Sequence, residues 1–188
     1  TEFLFLEFAM PTVVLKIIET LQMAIIGTTI AILCSVAFGL LAARNFAPNP
    51  YVYTGTRLLL NANRAIPEII FGIIFVSLVG IGPFSGVLAL AIGSIGSLGK
   101  IYAECVEAID PEPVQAVRAT GAGPLLAFRY GVLPQVLPVA ASYSLLLFES
   151  NVRTATILGL VGAGGIGFLL DKYLRLFQYQ ELCGCIIV

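Results

Sequence analysis

Charged side chains inside long apolar runs mark the first places to look for chemistry, because an ion at bilayer depth is costly and persists only with a partner or a task. Arg64, Glu68, Glu149 and Arg153 are such residues. Glu149 and Arg153 stand four apart, a spacing that lets them pair on one helix face. A second reading stays open, in which Arg153, Asn151 and the backbone amides around Gly162, Gly164 and Gly165 offer polar contacts to an anion in passage. Arg64 and Glu68 share the spacing and flank Pro67, and they read as a structural lock at the mouth of a path. Catalysis has little to work with. The chain contains no histidine, which removes the commonest general base and the commonest metal ligand. No nucleophile stands with an evident base. Cys34, Cys105, Cys183 and Cys185 lie in or beside apolar runs, where free cysteine packs as a small hydrophobe. Cys183 and Cys185 lack the second ligand pair a zinc site needs. The segment SIGSLGKI, residues 94–101, has Gly99 and Lys100 but neither the leading glycine nor the closing Ser or Thr of a phosphate loop. The expectation is a chain with no catalytic, metal or nucleotide site of its own.

The elements that would position these residues belong in lipid. Of 188 residues, 59% are hydrophobic and 11% charged, against about a quarter charged in an ordinary soluble domain. The mean hydropathy is +0.99. A net charge of −1 leaves no basic field to hold nucleic acid by counterion release. Spans need about 20 apolar residues, and charge-free intervals measure them. Thr20 to Ala43 forms the first, at about 20–43, and the amphipathic piece Phe8 to Leu21, with Lys16 and Glu19, leads into it along the outer interface. Ile69 to Gly99 is uncharged again and is broken by Gly80, Gly82, Pro83 and Gly86, which predicts a hairpin of spans at about 66–82 and 84–104. Tyr130 to Phe148 supplies a fourth, at about 131–150. After Glu181 the chain turns apolar again, and residues 181–188 read as the start of a fifth. With no initiator methionine, the sequence reads as part of a longer protein. The expected fold is all-α: one polytopic transmembrane bundle over residues 1–188.

Two stretches depart from simple spans. Residues 154–170 hold Gly159, Gly162, Gly164, Gly165 and Gly167, too many for a straight helix. Irregular backbone at membrane depth is permitted where protein or a watery cavity surrounds it, so a re-entrant or gate-lining segment is expected there. A helix packing closely through small residues is the other reading. The second stretch is the loop 105–130. The connection from Arg44 to Arg64 carries Arg44, Arg57 and Arg64 with no acid, which places it in the cytoplasm. Counting spans onward places 105–130 there too. Within it Asp110 is a good N-cap, Pro111 suits the first helical position, Glu112 favours the positive helix end, and Gly121 offers a left-handed stop. Pro124 can open a second short helix. The result is a small knob offering Val114, Val117 and Leu125 to a partner's groove.

This loop resembles the signature of ABC importer permeases: Glu-Ala-Ala, three residues, Gly, nine residues, Ile, one residue, Leu-Pro. Gln115, Ala116 and Val117 fill the first places, Gly121 the glycine, and Leu133 with Pro134 the ending; Gln115 and Gly131 depart from it. RAIPEIIFGIIFV (64–76), EAIDPEPVQAVRATGAG (107–123), RYGVLPQVLP (129–138) and FESNVRTATILGLVGAGGIG (148–167) are similar to the phosphonate-type permeases, which belong to the type I, MetI-like importers. Members of that family have a further span before the stretch matching residue 1 and a complete last span after residue 188. The resemblance implies a coupling helix that seats in a cleft of the ATPase, with Val114, Gln115, Ala116, Arg118, Gly121, Ala122, Gly123 and Leu125 at that interface. It implies a multi-pass protein of the bacterial inner membrane, working with a second permease copy, two ATP-binding cassette subunits that hold ATP and magnesium, and an extracytoplasmic binding protein. The implied cargo is phosphonate or a related oxyanion, phosphite or phosphate; the alternatives are another small solute such as methionine, or a secondary transporter or channel.

Overall fold

The computed structural model describes residues 2–178 and 182, and side chains from Thr12. Among the described residues every regular element is a helix: α1 (Glu2–Ala42), α2 (Pro50–Ala65), α3 (Glu68–Val79), α4 (Pro83–Glu107), α5 (Pro111–Ala119), α6 (Pro124–Ala127), a π-helical turn (Phe128–Val132), α7 (Leu133–Leu160) and α8 (Gly165–Arg175). Among the described residues three stretches are long and apolar enough to cross a bilayer: Thr12–Ala42, Pro83–Glu107, and a run within Pro124–Arg175. Pro50–Ala65 and Glu68–Val79 make a fourth only if taken together as one broken span.

Several boundaries differ from those read off the sequence. The piece Phe8 to Leu21 is not a separate interfacial helix, because α1 runs unbroken through it. Lys16 and Glu19 pair with each other and leave the backbone ladder intact. The expected span 66–82 contains only the 12 residues of α3, about 18 Å of helix, too short to cross alone. Pro67 cuts it off from α2, since proline lacks the amide and restricts the residue before it. The apolar stretch at 154–170 is mostly helical, with the break confined to residues 161–164. The fifth span expected at 181–188 falls outside the described residues, Leu182 excepted.

The framework divides into two compact units. The first comprises residues 1–30, 66–93 and 148–188. Its core is Met23, Val87, Ala89, Leu90, Ala155, Leu158 and Ala163, with Phe71, Phe75, Val76 and Val161 packed on them. Small residues admit the close approaches that hold helices together in lipid, where burial of apolar surface gives no net drive. A methyl group on Gly27 would stand 2.9 Å from the Leu90 Cβ. Deeper in the same unit the Asn151 side-chain amide donates to the Thr28 hydroxyl at 2.9 Å.

The second unit comprises residues 31–65 and 94–147. Ala42, Ala43, Leu60, Ala103 and Val106 form its core, with Phe38, Leu40, Ile95 and Val136 against it. A polar junction closes one end. Glu107, the last residue of α4, accepts from the Arg44 amide at 2.7 Å and pairs with Arg57 at 2.7 Å. Arg57 also donates to the Ala42 carbonyl at 3.3 Å and lies over the Tyr53 ring. One carboxylate thereby fixes the exit of α1 and the face of α2 to the end of α4, and Phe46 meets Phe128 edge-on at 5.4 Å.

Candidate functional site

The knob is built as its sequence requires. Asp110 stands in extended backbone and its side chain accepts from the Glu112 amide at 3.0 Å, with Pro111 opening α5. At the far end the Thr120 hydroxyl donates to the Val117 carbonyl at 2.7 Å, and Gly121 turns the chain away at φ 82°, where a side chain would be strained. Gly123 precedes Pro124, and α6 makes a single turn before passing into the π turn and then α7.

Two contacts seat α5 on the root of α7. Gln135 accepts from the Asp110 amide at 3.0 Å and donates to the Asp110 carbonyl at 3.2 Å and the Gly131 carbonyl at 2.7 Å. Gly131 lies under α5, so that a methyl there would stand 2.9 Å from the Val114 Cα. Among the side chains left outward are Gln115, Ala116, Arg118 and, 80% exposed, Leu125. Arg118 in the last turn complements the negative helix end. This is an exposed peg with two adjacent exposed leucines, Leu125 and Leu126, anchored from beneath.

In the first unit, α7 ends at Leu160 and the chain turns through Val161–Gly164 into α8. Gly162, Gly164 and Gly165 have φ of 96°, 86° and 71°, values that only glycine adopts at little cost. Gly159 and Gly167 let α7 and α8 meet backbone to backbone: a methyl on Gly159 would lie 2.6 Å from the Gly167 Cα. The Gly82 amide donates to the Gly162 carbonyl at 3.1 Å, and the Ser85 hydroxyl to the Gly82 carbonyl at 2.6 Å. From α1, Glu19 accepts from the Gly165 amide at 3.1 Å and Thr20 from the Ile166 amide at 2.9 Å. Two of the orphan amides that start α8 are thus satisfied by another helix.

Residues 35–188 match the family described as binding-protein-dependent transport system inner membrane component. The chain belongs to that family. It is 49% identical over 172 residues to the phosphite transport system permease protein PtxC of Stutzerimonas stutzeri, a match covering 92% of this chain and 62% of that protein. It is 45% identical over 170 residues to the phosphate-import permease protein PhnE of Mycolicibacterium smegmatis, covering 90% of this chain and 32% of that one. The chain thus spans less than two thirds of the length of either relative. Its fold is similar to a chain of the MetNI methionine ABC transporter in an inward facing conformation, with TM-score 0.76 at 22% identity over 95% of this chain and 90% of the other.

Within this inner membrane component the residues singled out from sequence fall into three groups. The peg gathers Gln115, Ala116, Arg118, Gly121, Gly123 and Leu125 at the surface, while Ala122 is half-buried and Val114 is turned toward Gly131. Glu149 and Arg153 pair at 3.0 Å with side chains 69% and 74% exposed, so the i, i+4 contact forms on an open face of α7. Asn151, two residues from each and so on the opposite side of α7, is fully buried and donates to Thr28. Arg64 and Glu68 stand on different helices, in different compact units, so their four-residue spacing does not put them on one helix face. The Glu68 side chain lies instead beside Gly93, where a methyl would come within 2.8 Å of its Cγ. Sequence reasoning passed over Gln135, Glu107, Glu19 and Thr20. Only Glu107 and Glu19, as acids at the ends of apolar runs, carried a signal that could have found them.

Proposed function

We propose that this chain is the membrane permease of an ATP-driven importer for a phosphorus oxyanion, phosphite, phosphate or phosphonate. A second copy completes the path, two separate ATPase subunits holding ATP and magnesium dock on the peg 111–124 from the cytoplasm, and an extracytoplasmic binding protein delivers the solute. The chain itself performs no catalysis. The observation that carries this reading is the exposed, doubly capped peg seated on the root of α7 in a chain of this family. The names of the relatives support the solute class.

In this reading α7, 28 residues with Pro138 inside it, follows the docking peg directly in the chain and leads into the glycine corner. Arg153 and Glu149, an ion pair on its open face, line the route of the anion, and residues 154–170 form its gate. Five spans and a bacterial inner membrane location complete the picture.

Leu125→Asp tests it, because the side chain is exposed and its loss leaves the fold untouched. Co-purification of the ATPase with the full-length permease should fall at least tenfold while insertion and yield stay normal. Gly121→Trp, which strains the turn at φ 82° and so distorts the peg itself, should also lose the ATPase while the protein still inserts. Retention of stoichiometric ATPase with normal solute-stimulated turnover in both variants would sink the coupling role.

A further inference from the structure

The glycine corner is held by groups that do not belong to it. Glu19 and Thr20 are adjacent residues of α1, yet they meet the first two amides of α8, 146 positions further along the chain. Each of these side chains is tied in turn. Lys16 pairs with Glu19 at 2.5 Å, and the Thr20 hydroxyl donates to the Lys16 carbonyl at 2.9 Å while it accepts from Ile166. Thr20 is buried, and Gly164 and Gly165 approach this pair so closely that a methyl on either would lie 3.0 Å from the Glu19 carboxylate or 2.6 Å from the Thr20 hydroxyl. On its other side the Gly82 amide donates to the Gly162 carbonyl, and Gly164 lies so close to Pro83 that a methyl on it would stand 2.9 Å from the proline nitrogen.

Satisfying the start of a helix from a different helix has a mechanical meaning. A serine or aspartate cap within the same chain segment travels with its helix, and α8 has no such cap: Gly164 offers no side-chain acceptor. The amides of α8 are therefore paired only while α1 stays alongside. When the corner moves, both must find water or another acceptor, which costs on the order of a hydrogen bond each.

We propose that Glu19 and Thr20 are positioning residues of the transport cycle, forming a latch that holds the glycine corner against α1 in the resting state and opens when the corner moves. The inference rests on the permease reading for its functional half and on the structure alone for its mechanical half. Lys16 holds the Glu19 carboxylate in place.

The test uses the full-length permease assembled with its ATPase and binding protein in proteoliposomes. Glu19→Leu and Thr20→Val remove the acceptors at nearly constant shape, whereas Glu19→Gln and Thr20→Ser keep one. Hydrogen exchange is followed over residues 161–168, beside ATP hydrolysis with and without the loaded binding protein. The Leu and Val variants should exchange severalfold faster across the corner and hydrolyse ATP severalfold faster without solute. The Gln and Ser variants should restore slow exchange and solute dependence. Unchanged exchange in the Glu19→Leu, Thr20→Val double variant overturns the latch. Faster exchange with unaltered solute dependence overturns its role in the cycle. A parent protein that binds no ATPase would refute the importer reading while the exchange arm still decides the latch.

Discussion

Gln135 holds the peg because an amide side chain offers an acceptor and a donor on one plane. The Asp110 backbone presents a donor and an acceptor to it, and the Gly131 carbonyl takes the remaining hydrogen. Leucine at this position removes all three bonds and should cost about 1 kcal/mol, since the Asp110 groups are exposed and can turn to water. Glutamate should be no better, because a carboxylate accepts from the Asp110 amide but turns an oxygen toward two carbonyls. Hydrogen exchange of the α5 amides checks both variants, and slow exchange in Gln135→Leu would show that the peg is anchored otherwise. Nothing in the sequence announces this residue. It stands 25 positions from Asp110, a separation with no helical or turn meaning, whereas Asp110 and Pro111 declare themselves by adjacency. Gly131 was legible only as a departure from the signature. Its contact with Val114 gives that departure a reason, as a larger residue there requires α5 to stand further out.

Helices with local instructions came through the sequence best. α5 has its cap, its proline and its glycine stop within a dozen residues, and Asp110→Ala should weaken it by about 1 kcal/mol, with Asp110→Asn close to the parent. Circular dichroism is blind to so small a piece, so exchange of the non-proline amides of α5 is the measurement; equal rates in the alanine and asparagine variants would show that the cap contributes nothing. α3 shows the opposite case. Its apolar run looked like a full span because hydrophobicity continues through Ile66 and past Val79, but Pro67 and Gly80 end the hydrogen-bond ladder at both sides. Hydropathy sums side chains, and a span also needs unbroken backbone pairing. The glycine content of residues 154–170 pointed correctly to irregular backbone, yet it overstated the extent: Gly159 and Gly167 serve helix contact, and the left-handed positions are Gly162, Gly164 and Gly165.

For the molecule as a whole, sidedness is the property on which the other assignments turn. Arg44 follows α1, Arg57 and Arg64 stand within α2, and Glu107 pairs with Arg57; we propose that this basic cluster faces the cytoplasm, as basic residues near span ends do. A cysteine placed at Gly123, which is exposed and has open space around it, in a background without the four native thiols should react with an impermeant maleimide in inside-out vesicles and stay unlabelled in right-side-out ones. The reverse pattern would invert the topology and with it the docking of the motor. The π turn at Phe128–Val132 then acquires a particular meaning. Such a turn is an α-helix carrying one surplus residue, and one residue of α-helix is about 100° of rotation. The five residues between α6 and α7 thus act as a phase shifter: the surplus unit sets the azimuth of Leu125 relative to the foot of α7, and losing it would swing that face round and pull Gly131 from beneath Val114 as well.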